Sequence, residues 1–347
     1  MEKRIKKTYI CKNIADYQID ESLSGIHLPV AGDVALFEVL SIGKHRQLQN
    51  EEKRNAFIYP GDIVMAAFGT RYATEQFEGY VPDSILSEYH ILGAGGTVGF
   101  IESMHSRFTN IGPTRLKMIG YAVGDFGNVI NTKKLMELQI KPFRGVMQSF
   151  TRIILSIGSS MDSGKTTTAA HLIRGLKNAG MRTGYIKLTG TVYTKDRDLA
   201  YDNGADQATD FGEMGYPSTY LCSESELLNL YETLLNNINA QELEYVVVEI
   251  ADGIYQRETE MLLRNTKFMA GVDAVIFSAG DSLAAVQGVN VLQDMHIIPT
   301  VLCGLFTSSP LMVKEVKSKV PAPVLTIEEM AAGQCLPLLE EPMQEFA

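Results

Sequence analysis

Gly158-Ser159-Ser160-Met161-Asp162-Ser163-Gly164-Lys165-Thr166-Thr167-Thr168 is the stretch that decides how this chain is read. It follows the apolar run RIILSI at 152–157 and opens a stretch with helical spacing. A strand ending in small residues lets backbone N–H groups curl around a phosphate, and a helix start adds roughly half a positive charge together with unpaired N–H donors. On this reading phosphates rest on Gly158, Ser159, Ser160, Met161, Asp162, Ser163, Gly164, Lys165, Thr166 and Thr167. Lys165 reaches the outer phosphates of a nucleotide, and the Thr166 hydroxyl ligates Mg2+. Ala169, Leu172, Ile173 and Leu176 form one apolar stripe, with Gly180 as the helix stop. The competing reading is a glycine turn that happens to precede Lys-Thr, and it has to account for strand, loop and helix together.

Around this motif, apolar β-branched runs alternate with amphipathic windows: IILSIG, TGYIKL, YVVVEIA, AVIFSAG and TVLCGLF, with helical stretches between them, one of them at about 224–237. Continuous apolar strands separated by helices predict an α/β domain over 148–347, a doubly wound, mostly parallel sheet carrying a P-loop. A triphosphate brings about four negative charges, so Mg2+ needs a carboxylate opposite Lys165. Glu249, at the C-terminal end of an apolar strand, is placed for that role, the alternative being an exposed strand-end acid. Lys187 ends the second strand and is read as a second catalytic cation beside Lys165, or as a surface lysine. Asp196, Asp198, Asp202, Asp206 and Asp210 follow it. Some of these are solvated, and Asp196, Asp202 and Asp210 are the preferred candidates to complete the magnesium shell with Thr166 and Glu249. Arg257 reads either as a contact to a substrate anion or as a helix-start residue.

The first half has a different pattern. Between about Gly32 and Val129 short extended runs are broken by glycine turns, which predicts a smaller β-rich domain over 1–147, a barrel or a sandwich. Tyr59-Pro60-Gly61-Asp62 is a turn by composition. The cluster Gly93-Ala94-Gly95-Gly96-Thr97-Val98-Gly99 lacks the last glycine of a dinucleotide fingerprint and reads as a turn or bulge. Tyr72, Phe77 and Tyr80 line a pocket or, at strand spacing, pack a core. Residues 131–150, with Pro142 and Gly145, read as a connecting stretch. The domain is expected to supply a lid, a specificity surface or the contact of a homodimer.

Of 347 residues, 45% are hydrophobic and 21% charged, the profile of a soluble globular protein. The net charge of -10 sets a repulsive field against nucleic acid, and the basic cluster Lys3 to Lys7 reads as a solvated end. Cys11, Cys222, Cys303 and Cys335 form no CxxC pair, which argues against zinc or a disulfide framework and for a reducing cytoplasm. No run approaches the roughly 18 apolar residues of a membrane span.

The phosphate loop also carries a family resemblance. An ordinary P-loop has four residues between its glycines, whereas Gly158 and Gly164 enclose five. This loop resembles that of the dethiobiotin synthetase and cobyrinate a,c-diamide synthetase superfamily, with Asp162 where those enzymes carry an acid. Lys187-Leu188-Thr189-Gly190 resembles the Lys-Pro-x-x-x-Gly segment of dethiobiotin synthetase, although the proline is absent and the glycine comes early. Val246-Val247-Val248-Glu249 resembles the family strand whose glutamate binds magnesium. Together the matches span about 153–325. They imply ATP, possibly GTP, with Mg2+, and transfer of the γ-phosphoryl group to a carboxylate-bearing small molecule by a ligase or kinase. Three other resemblances stay open. One is the GTP-binding adaptor of molybdopterin-guanine dinucleotide synthesis, similar in its opening strand, Thr-Thr start and strand-ending lysine. Another is a family that includes D-glutamate N-acetyltransferases, which implies acyl-CoA chemistry. The last is an RNA 5′-hydroxyl kinase, against which acidity and the lack of a basic, aromatic groove count.

Overall fold

The computed structural model of the chain describes residues 4–145 and 150–340. The expected domain boundary at 147 and 148 lies outside them, as does Lys3 of the basic cluster. The chain forms two compact units, one of Met1–Ile140, Gly190–Thr194 and Phe211–Leu221, the other of Lys141–Thr189, Lys195–Asp210 and Cys222–Ala347. The two short segments of the first unit fall in the stretch that the sequence assigned to the second domain. Their backbone groups find partners within the first unit: Val192 N donates to Pro217 O, Thr97 Oγ1 donates to the same oxygen, and Thr194 N donates to Gln49 Oε1.

In the first unit, β1 (Val34–Ser41), β2 (Ile63–Phe68), β3 (Tyr89–Gly93), β4 (Thr97–Met104) and β5 (Arg115–Val123) close into a barrel. The β1–β2, β1–β5, β5–β3 and β3–β4 pairs are antiparallel, and a short parallel pairing of β4 with β2, Thr97 to Ala67 and Val98 to Phe68, completes the ring. Of the two architectures open from sequence, the closure selects the barrel. Strand period two puts Ala35, Phe37 and Val39, then Val64, Ala66 and Phe68, inward. Phe37, Phe68 and Tyr89 fill the interior edge to face at 5.5–5.8 Å. Gly96, at φ 106, turns the β3–β4 hairpin, and Asp62 N donates to Tyr59 O in the expected turn. Phe77 is core, while Tyr72 and Tyr80 lie against Tyr220. The expected connecting stretch contains a helix, Thr132–Met136, because Asn131 Oδ1 accepts from Lys133 N and Lys134 N and so caps it.

The second unit is a six-stranded parallel sheet of β6 (Arg152–Gly158), β7 (Thr183–Lys187), β8 (Gln207–Asp210), β9 (Tyr245–Glu249), β10 (Ala274–Ser278) and β11 (Val301–Cys303), in the order β8-β7-β9-β6-β10-β11. Helices α1 (Lys165–Asn178), α2 (Lys195–Asp202), α3 (Glu224–Asn237), α4 (Arg257–Arg264) and α5 (Ser282–Asp294) flank it. Every residue of β7, β9 and β10 is buried, which is why these strands read as continuous apolar runs rather than alternating ones. Ala169, Leu172, Ile173 and Leu176 all face the core, as their spacing predicts. From β6 the chain steps over β9 to β7 on one side and later adds β10 on the other, so the C-terminal ends of β6 and β9 border the switch point where ligands bind in such sheets.

Candidate phosphate-binding site

The loop 159–164 turns from β6 directly into α1. Its geometry depends on two glycines: Gly164 is left-handed, with φ 98, and a Cβ on Gly158 would fall 2.3 Å from Ser163 Oγ and 2.7 Å from Lys165 Cγ. Asp162 also has positive φ, 58, and is exposed at the loop tip. Neighbouring strand ends hold the loop. Ser159 N donates to Ser278 O (2.9 Å), Ile254 N to Gly158 O (3.0 Å) and Leu305 N to Ser163 O (3.2 Å). The last two contacts need Gly253, whose added Cβ would lie 2.4 Å from Ser159 O, and Gly304, whose Cβ would lie 2.6 Å from Ser163 O.

Lys165 is buried, and its ammonium arches back over the loop to donate to Ser160 O (2.6 Å) and Ser163 Oγ (3.4 Å). Burial pulls its pKa down to about 8 against the opposing attraction of Glu249. The Ser159 hydroxyl is buried with no protein partner among the described residues. Ser160 and Met161 complete the loop, and Thr167 is exposed in the first turn of α1.

Sheet register assembles the rest. Ser156 is level with Glu249, Glu249 with Lys187, and Lys187 with Asp210, so four side chains from adjacent parallel strands stand in one row on one face. Glu249 is fully buried and accepts from Thr166 Oγ1 (2.7 Å), Lys187 Nζ (2.5 Å) and Tyr185 OH (2.7 Å). Three of its four acceptor positions are thereby filled. Lys187 also pairs with Asp196 at 2.8 Å. Burial acts against the Lys187 charge, but Asp196 and Glu249 outweigh it and leave its pKa above that of an ordinary lysine. Burial, with the Glu249 charge beside it, raises Tyr185 well above the usual phenol value, so its hydroxyl remains a donor.

The structure therefore brings together Lys165, Thr166, Glu249, Lys187 and Asp196. Asp210 stands beside Lys187 in the row but is paired with another cation, and the remaining acids lie away from it. Asp210 is held by Arg197 (3.2 Å), and both are buried. Asp202 is exposed at the end of α2, six residues and about 9 Å along the axis from Asp196. Asp206 bonds Lys177 Nζ and Thr183 N at the opposite end of β7. Asp198 lies against Arg197. Among the described residues no three His, Cys, Asp or Glu side chains gather as a metal cluster. Arg257 starts α4 and donates to Cys222 O (2.9 Å), which matches its helix-start reading. Tyr185, Gly253 and Gly304 escaped the sequence reading. Tyr185 sits two residues before Lys187 on one strand face, a period-two signal that could have found it.

No protein-family model matches this chain, and no curated protein does either. Among solved structures it is similar to the 54 kDa signal recognition particle protein of Aeropyrum pernix K1 in complex with GDP, at 16% identity over 60% of this chain and 51% of that one, TM-score 0.37. It is similar also to the hydrogenase maturation factor HypB of Archaeoglobus fulgidus, at 14% identity over 59% and 98%, TM-score 0.37. A third is the signal recognition particle receptor FtsY of Elizabethkingia anophelis, at 13% identity over 60% and 71%, TM-score 0.34. The chain spans about half the length of the signal recognition particle protein. The narrower resemblance to dethiobiotin synthetase rests on the sequence motifs alone. No helix among the described residues is long and apolar enough to cross a membrane.

Proposed function

We propose that the second unit binds a nucleoside triphosphate, ATP or GTP, with Mg2+, and that the chain is an enzyme passing its γ-phosphoryl group to a carboxylate-bearing small molecule. The observation that carries this reading is the convergence of Lys165, Thr166, Glu249 and Lys187 where the phosphate loop meets the ends of β7 and β9. The residues present fit the ligand: the loop is bare where a Cβ would fill it, a buried Ser159 hydroxyl lacks a protein partner, and a carboxylate stands on the loop threonine. Mg2+ bound beside Thr166 would neutralise phosphate charge. Glu249 keeps one acceptor position for a metal-bound water while it orients the Thr166 hydroxyl. Lys165 exchanges the Ser160 carbonyl for phosphate oxygens. Lys187, already charged and held by Asp196, presents a second cation to the transferring group or the acceptor carboxylate. Phosphoryl transfer asks for little more than positioning and charge neutralisation, which is what these residues supply.

The test is Mg2+-dependent nucleotide turnover by the purified chain against a panel of carboxylic acids, with mass spectrometry of the products. Acceleration by one acid, with a phosphorylated or condensed product, supports the enzyme reading. Turnover indifferent to every acid favours a GTP-binding accessory factor, and turnover of acetyl-CoA without nucleotide favours an acyltransferase.

A further inference from the structure

The barrel unit carries an aromatic cluster built around one carboxylate. Glu78 and Tyr80 are two apart on the strand Phe77–Tyr80 and so share a face. The antiparallel β4 sets Phe100 opposite Tyr80 and Ser103 opposite Glu78. Tyr80 lies 5.9 Å from the Phe100 ring and 6.0 Å from the Tyr220 ring, with the planes tilted by 39° and 44° rather than stacked. Tyr220 is fixed through its backbone, since its N–H donates to Ser218 Oγ (3.1 Å) and its carbonyl accepts from Thr70 Oγ1 (2.7 Å). All of these residues belong to the first unit, and Tyr80, Phe100 and Tyr220 are half-buried.

The hydroxyl protons decide the chemistry. Tyr80 OH donates to Glu78 Oε1 (2.5 Å), and Ser103 Oγ donates to Glu78 Oε2 (2.8 Å). With the Tyr80 proton committed, Tyr220 is the donor across the 3.4 Å between the two phenols. Each of these three protons is thereby used inside the cluster, in bonds that lead to Glu78. What remains for a ligand is lone pairs and ring faces, all of negative sign. The bonds from Tyr80 and Ser103 hold the Glu78 carboxyl below its usual value, so it is ionised at neutral pH. Each carboxylate oxygen keeps an acceptor position, and among the described residues no cation pairs with it. Arg71, on the neighbouring strand, stands level with Gly79 and so on the opposite face.

An anion finds no unused hydroxyl proton in this cluster. A divalent metal ion needs several oxygen ligands, and Glu78 belongs to no group of three His, Cys, Asp or Glu side chains among the described residues. A methylated ammonium is weakly hydrated and gains from ring faces and a carboxylate together. We propose that Glu78, Tyr80, Phe100 and Tyr220 form a binding site for an organic cation, the quaternary ammonium group of a small molecule. The site gives the barrel unit a ligand of its own and does not depend on the nucleotide reading of the second unit.

The experiment is titration of choline into the full chain at neutral pH and constant ionic strength, followed by saturation transfer to its methyl protons. The control is 3,3-dimethylbutanol, which has the same shape and no charge. Saturable choline binding, about fivefold or more tighter than that of the alcohol, is expected. Glu78→Gln keeps an acceptor for Tyr80 and should melt with its parent, yet weaken choline about fivefold. Phe100→Leu removes a ring face without touching the carboxylate and should weaken it about threefold. Equal binding of choline and the alcohol makes the cluster an apolar patch, and displacement of choline by equimolar Mg2+ makes it a metal site. Either result overturns the proposal, as does the absence of choline binding or an affinity unchanged by Glu78→Gln or by Phe100→Leu.

Discussion

Lys165→Met should abolish nucleotide binding while leaving the fold as stable as before or more so. The drop of the Lys165 pKa from 10.5 to about 8 on folding corresponds to about 3 kcal/mol against the charged form. A neutral side chain of similar length escapes that cost. Against this, Ser160 O loses its charged donor, which costs about 1–3 kcal/mol. The balance is a gain between about zero and 2 kcal/mol, or up to several degrees in Tm at about 2–4 °C per kcal/mol for a domain of this size. The sign has a pH signature. Between about pH 8 and 10.5 the unfolded chain still holds a proton that the folded lysine has released, so wild-type stability rises with pH across that window. The variant lacks this rise, and its advantage should shrink towards pH 10.5. Urea unfolding at pH 7, 8.5 and 10, paired with nucleotide titration at pH 7, measures both halves. A variant that unfolds several kcal/mol more easily at pH 7, or that retains wild-type nucleotide affinity, would refute the reasoning, because the ammonium would then be a structural group rather than one reserved for an anion.

The same lysine makes nucleotide affinity pH-dependent: it should be constant below about pH 8 and weaken as the ammonium is lost above it, checked by titrations from pH 7 to 9.5. Glu249→Gln leaves Lys187 with Asp196 as its remaining carboxylate and should cost about 3 kcal/mol of stability along with Mg2+-dependent turnover. In a double-mutant cycle with Lys187→Met the two losses should fall short of additive, and strict additivity would mean the pair is not coupled. Gly304→Ala places a Cβ 2.6 Å from Ser163 O at φ 108, so it should cost about 1–3 kcal/mol and loosen nucleotide binding from outside the loop. Unchanged affinity there would show that the 304 turn does not shape the loop.

Local rules carried much of this protein. The strand, small-residue loop and helix of 152–178 are determined by near neighbours, through apolar periodicity, a left-handed glycine and a helix start. The sequence therefore sufficed for the α/β class, for the Ala169–Leu176 stripe and for the proximity of Lys165 and Thr166 to the loop. Apolar runs alternating with helical windows marked the parallel sheet, whereas short extended runs broken by glycine turns marked the first half. Strand order and register depend on contacts between residues far apart in the chain, and no local pattern encodes them. Only the folded sheet could set Ser156, Glu249, Lys187 and Asp210 in one row, direct Tyr185 onto Glu249, tie Asp210 to Arg197 and leave Asp202 at an exposed helix end. It was likewise the parallel β2–β4 contact, two residue pairs long, that made the first unit a barrel. Sequence determined which chemical groups were near the phosphate loop along the chain; tertiary structure decided which of the distant ones reach it, because a buried charge must take the partner that the sheet places beside it.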